Sequence, residues 1–122
     1  MPQTRVVFYE EDDGTVPILD WLDSLGDKAR AKSLVRIERL KELGHQLRRP
    51  EADYLRGGIY ELRISLQGIH HRILYFFHGH AVAVLSHGLI KERTVPPKEI
   101  ALAMRCKSRF EADPKGHTYC EG

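Results

Sequence analysis

IYELRISLQGIHHRILYFFHGHAVAVLSHGLIK, residues 59–91, is the stretch whose pattern decides the fold. Tyr60, Leu62, Ile64 and Leu66 alternate with Glu61, Arg63 and Ser65, which is the period of a strand with one apolar and one polar face. Residues 71–77 are mostly apolar with Arg72 among them, and residues 81–85 are apolar throughout, so both read as more central strands. Gln67-Gly68 and His78-Gly79-His80 supply the turns between them. Consecutive strands joined this tightly predict an antiparallel meander rather than a parallel βαβ sheet.

Working outward, residues 5–9 (RVVFY) read as an opening strand that ends at the turn-prone Glu11-Asp12-Asp13-Gly14. Thr15 is placed to cap a helix carrying Ile18, Leu19, Leu22 and Leu25, with Pro17 in its first turn, Trp21 as an amphipathic anchor and Gly26 as its stop. Asp27 then caps a second helix whose stripe is Leu34, Val35, Ile37, Leu40 and Leu43, ending at Gly44. These two helices form a hairpin. Its second helix also carries Lys28, Arg30, Lys32, Arg36, Arg39 and Lys41 against Glu38 and Glu42: either an RNA-contacting ridge or a solvated face with paired charges. Residues 46–55, polar and containing Pro50, read as a loop. Pro96-Pro97 opens a final helix with Ile100, Ala101, Ala103 and Met104 on its apolar side. The expected fold is therefore α+β: a strand, a helical hairpin, a three-stranded antiparallel meander and a C-terminal helix. One domain is expected over residues 1–113, with a frayed tail over 114–122.

Bulk composition narrows the class. No apolar run is long enough to span a bilayer, and the leading residues turn acidic where a signal peptide needs a basic start, so a cytoplasmic protein with no membrane partner is expected. Cys106 and Cys120 are too few for a disulfide framework. The net charge of +2 hides an acidic leading edge, residues 1–27 with one base and seven acids, and a basic body. His70, His71, His78 and His80 flank one hairpin and His117 precedes Cys120, but none of these completes a ligand set, so no metal and no cofactor is expected.

Chemistry concentrates in the meander. If Tyr60, Leu62 and Ile64 pack on the hairpin, alternation aims Glu61 and Arg63 away from it. Arg63 is then either a salt-bridge partner of Glu61 or a group aimed at a ligand. Arg72 interrupts an apolar strand, which costs desolvation unless it is paired or faces a cleft. His87 and Lys91 stand at the exit of the last strand, with Arg93 extending the cluster. Cleavage of RNA by attack of the 2′-hydroxyl needs a proton acceptor, cations on the phosphorane and a donor for the leaving oxygen; Arg, His and Lys supply all three.

In order and spacing, Gly57-Gly58-Ile59-Tyr60-Glu61-Leu62-Arg63, Arg72-Ile73-Leu74-Tyr75, Val84-Leu85-Ser86-His87-Gly88-Leu89-Ile90-Lys91 and Pro96-Pro97-Lys98-Glu99-Ile100-Ala101-Leu102-Ala103 resemble the phage-derived, HigB-like branch of the RelE/ParE toxin superfamily. The resemblance covers residues 57–103. It implies a RelE-like fold and a type II toxin, neutralised by a helix-turn-helix antitoxin, that cleaves mRNA on the ribosome without a metal. Matched positions are Glu61, Arg63, Arg72, Tyr75, His87 and Lys91. On this reading Arg63 and Arg72 hold the scissile phosphate, His87 and Lys91 transfer protons, and Glu61, Tyr75, Arg93, Arg36 and Arg39 contact RNA. Two positions depart from the pattern: Leu89 replaces an aromatic, and Glu92 replaces a second lysine. The alternative is a non-catalytic protein on the same fold, either a ParE-like gyrase inhibitor or a degenerate toxin that binds only its antitoxin.

Overall fold

Strands with the apolar runs of residues 71–77 and 81–85 need cover on both faces of the sheet, and here both are covered. A computed structural model describes residues 3–90 and 93–119. Its elements run β1 (Arg5–Phe8), α1 (Pro17–Ser24), α2 (Asp27–Leu43), β2 (Ala52–Arg56), β3 (Ile59–Leu66), β4 (Ile69–His78), β5 (Val82–Ile90) and α3 (Pro97–Ala112), with short 3-10 turns at Gly44–Gln46 and Lys115–His117. The sheet order is β1-β5-β4-β3-β2. β2 to β5 form an antiparallel meander, and β1 returns to pair parallel with β5. The α+β class and the helical hairpin, meander and C-terminal helix agree with the sequence reading.

One strand lies inside the expected loop. β2 pairs with β3 in the register Ala52↔Leu62, Asp53↔Glu61 and Tyr54↔Tyr60, so the meander has four strands. Gly57 and Gly58, with φ of 61° and 82°, make the turn that joins them. Two successive positive φ values are what a two-residue hairpin of right-handed twist demands, and only glycine adopts them freely.

Both sheet faces are packed. Leu62, Ile64, Ile73, Tyr75, Ala83 and Leu85 face the hairpin and meet Ile18, Leu22, Ile37 and Leu40. On the other face Ile59, Leu74, Phe76 and Val84 meet Ile100, Ala103, Cys106 and Phe110 of α3. The buried stripe of α2 is Ala29, Ser33, Ile37 and Leu40 rather than the one that included Leu34 and Val35, which are exposed. At 100° per residue Leu34 lies about a quarter-turn from that stripe and Val35 nearly opposite it, and the buried Ser33 hydroxyl is satisfied by donating to the Ala29 carbonyl at 2.8 Å. Ala101 of α3 is likewise exposed. Helix starts shift by one residue: Val16 rather than Thr15 precedes α1, and Gly26 rather than Asp27 precedes α2.

α1 is seated on β5 by close approach. A Cβ on Gly88 would lie 2.1 Å from the Trp21 ring, so the indole rests directly on the strand backbone. Residues 114–119 dock rather than fray: Tyr119 donates its amide to Phe8 at 2.9 Å, Tyr9 bridges Thr118, and buried His117 stacks on Tyr9. Among the described residues no helix is long and apolar enough to cross a membrane.

Candidate functional site

Register sets the central pair. β3 and β4 place Arg63 directly opposite Arg72, with Glu61 opposite Leu74, all on the face that α3 covers only at its other end. Like charges opposite one another repel unless carboxylates intervene. Glu61, 2% exposed, does so. It accepts a close hydrogen bond from Arg72 Nη1 through Oε1, while its Oε2 lies 3.4 Å from Arg63 Nη2. Asp53 on β2 meets the same Arg63 nitrogen at 3.2 Å. Arg72 also donates through Nη2 to the Arg93 carbonyl, which ties β4 to the segment leading into α3.

Arg63, Arg72, Arg93 and Arg36, together with His70 and His71, line one cavity of about 460 Å³. Arg36 arrives from α2, held 2.7 Å from Glu51, a carboxylate that also receives Arg39 through two nitrogens at 2.9 and 3.0 Å. These hydrogen bonds, with that from Arg39 first, hold the Glu51 carboxyl below its ordinary pKa; Arg49 does the same for Asp53. Among the described residues five guanidinium groups, Arg36, Arg39, Arg49, Arg63 and Arg72, share four carboxylates, Glu42, Glu51, Asp53 and Glu61, before Arg93 is added. Among these residues the surplus is cationic. Arg36 Nε, Arg63 Nε and His71 Nδ1, all on residues lining this cavity, are buried without a hydrogen-bond partner among the described residues. Four guanidinium groups around one open cavity suit an anion with several acceptor oxygens.

His87 shares the sheet face but not the cavity. A bulge makes Ser86 an extra residue between Leu85, opposite Tyr75, and His87, opposite Leu74. His87 Nδ1 lies 2.8 Å from Ser86 Oγ, and Nε2 lies 3.0 Å from Glu99 Oε1 in the first turn of α3. Burial lowers the imidazole pKa, with Glu99 opposing, so the neutral ring is favoured. Both ring nitrogens are engaged within the protein. Burial likewise pushes up the thiol of Cys106, with Ser86 opposing.

The other expected residues scatter. Tyr75 is 1% exposed on the hairpin face, packed against Tyr60 and Phe77, and burial pushes its hydroxyl pKa up. Arg39 is not part of the cavity and is committed to Glu51. Lys91 and Glu92 lie outside the described residues, as does Cys120. Sequence reasoning missed Asp53, Glu51, His71 and Glu99. Only Glu99 had a signal, since it falls in the Pro96–Ala103 motif. Among the described residues no three His, Cys, Asp or Glu side chains group to hold a metal ion: His70 pairs with Ser65, His78 packs on Phe110 and His80 tilts against His45.

Comparison with known proteins gives one family: the model described as phage derived protein Gp49-like (DUF891) matches residues 20–108, well over half of the chain. No curated protein matches the sequence.

Proposed function

The chain belongs to the Gp49-like phage-derived family, and on that footing we propose that it is the toxin of a type II toxin-antitoxin pair that cleaves mRNA on the ribosome. The observation that carries this reading is the cross-strand pair Arg63↔Arg72, opening with Arg36 and Arg93 into one cavity. Guanidinium groups in that arrangement match the oxygens of a phosphodiester and stabilise the charge of a phosphorane. In the proposed reaction the 2′-oxygen bonds to phosphorus and the bond from phosphorus to the 5′-oxygen breaks. The 2′-hydroxyl proton passes to a base and the leaving oxygen gains one, which yields a cyclic phosphate and a free 5′-hydroxyl. Lys91 and His87 are the proposed proton carriers, and a helix-turn-helix antitoxin is the proposed partner.

His87 favours a second reading. A neutral, buried imidazole with both nitrogens occupied must leave Glu99 or Ser86 before it takes a substrate proton. This arrangement suits a non-catalytic binder on the same fold. Inducible expression with mapping of mRNA 5′ ends, comparing wild type with Arg72→Ala, separates the two. Codon-phased cuts that vanish in the variant support cleavage; growth arrest without cuts overturns it in favour of binding.

A further inference from the structure

Around the edge of β2 from the arginine cavity lies a second one of about 560 Å³, bounded by His45, Arg48, Arg49, Asp53, Tyr54 and Tyr60. Tyr54 is 52% exposed, and the core does not need its ring. It is nonetheless fixed. The ring packs at 5.0 Å against Tyr60, its cross-strand partner, and its hydroxyl oxygen accepts the Gly58 amide at 3.1 Å. Arg48 is held at the rim by donating to the His45 and Leu47 carbonyls, and His45 is stacked on Phe77 at 3.6 Å. A pinned, half-exposed aromatic flanked by guanidinium groups is the arrangement that stacks a base while holding its phosphate.

Asp53, which lines the second cavity, links it to Arg63 of the first. Asp53 Oδ2 lies 2.9 Å from Arg49 Nη2 and 3.2 Å from Arg63 Nη2, so one carboxylate separates a cation of the second cavity from the central arginine of the first. A strand bound by its phosphate at Arg63 and Arg72 therefore reaches Tyr54 by crossing the edge of β2. We propose that this second cavity is a stacking subsite for an unpaired RNA base that flanks the phosphate held at Arg63 and Arg72. The proposal rests on the RNA reading above. The aromatic ring gives no reason to select one base, so the subsite adds affinity and position rather than sequence preference.

The test is fluorescence anisotropy of a labelled short single-stranded RNA, run on the full chain at low salt. Tyr54→Leu keeps an apolar contact on Tyr60 but loses the π face, and is expected to bind roughly 5- to 150-fold more weakly, the range for losing one stacked base. Tyr54→Trp is expected to bind as wild type does. A series of RNAs with one abasic nucleotide at successive positions should reveal one position that weakens wild type equally and leaves Tyr54→Leu unchanged. That second arm uses the wild-type fold, so it does not depend on how the variant folds. Equal affinity of Tyr54→Leu and wild type, no position-specific abasic effect, or no wild-type binding to the RNA overturns the subsite. Mapping of mRNA 5′ ends with Arg72→Ala decides the cleavage reading separately.

Discussion

Replacing Glu61 by Gln tests whether one buried carboxylate holds the arginine pair in place. Glu61 is 2% exposed and the Arg72 side chain 9%, so this ion pair has little water to compensate its loss. Breaking a buried pair by removing one charge costs about 3–5 kcal/mol, because the remaining ion stays desolvated. Arg72 keeps the Arg93 carbonyl and borders an open cavity, which argues for the lower end, about 3 kcal/mol. Arg63 adds little to that sum, since it is 37% exposed and retains Asp53. In urea, with a slope of about 2 kcal/mol per molar, the midpoint should fall by about 1.5 M without a change of slope. Inorganic phosphate supplies the missing negative charge, so it should restore the variant more than it raises wild type. A stability within about 0.5 kcal/mol of wild type, the range of an ordinary surface substitution, together with equal phosphate effects on both proteins, would refute the assignment.

Three further outcomes follow from other contacts. Gly88→Ala forces a methyl into the Trp21 ring and should destabilise by about 1–3 kcal/mol; Trp21 is the sole tryptophan, so its emission should shift, and an unchanged spectrum contradicts the seating of α1 on β5. The His87 imidazole should titrate below 6.5 by NMR, and lower still in Glu99→Gln because Glu99 raises it; a midpoint above 6.5 shows that the ion pair outweighs burial. The sign for stability follows: with the folded value depressed, the contribution of His87 is present above 6.5 and lost as pH falls through the folded value. Glu51 and Asp53 are also depressed, so their contributions are present above their ordinary values of 4.5 and 3.8 and disappear at lower pH. Glu51→Gln with Asp53→Asn should flatten the acid limb of a stability profile measured by urea unfolding, and an unaltered limb counts against the network.

Legibility differed between elements for physical reasons. β3 was readable because its alternation is strict, while β2 was hidden by its brevity and by Pro50, although Gly57-Gly58 announced the turn after it. The α2 stripe was misjudged because Leu34 and Val35 are apolar yet unburied, and hydrophobicity does not reveal which neighbour arrives. His87 was readable as a titratable residue near a strand end, but its engagement with Ser86 depends on a one-residue bulge that no pattern marks. Tyr75 matched a motif and yet faces the hairpin core, since parity along β4 sends it opposite to Arg72 and Leu74.

Residues 59–66 by themselves determined which side chains share a face, because alternation along a strand is a local property of the backbone. They placed Glu61 and Arg63 opposite to Leu62 and Ile64 without reference to any other element. Tertiary structure alone decided that Arg63 meets Arg72, that Glu61 and Asp53 divide their charge, and that Arg36 closes the cavity from a distant helix. Register, bulges and helix placement arise from contacts between segments far apart in the chain, and a local pattern carries no record of them.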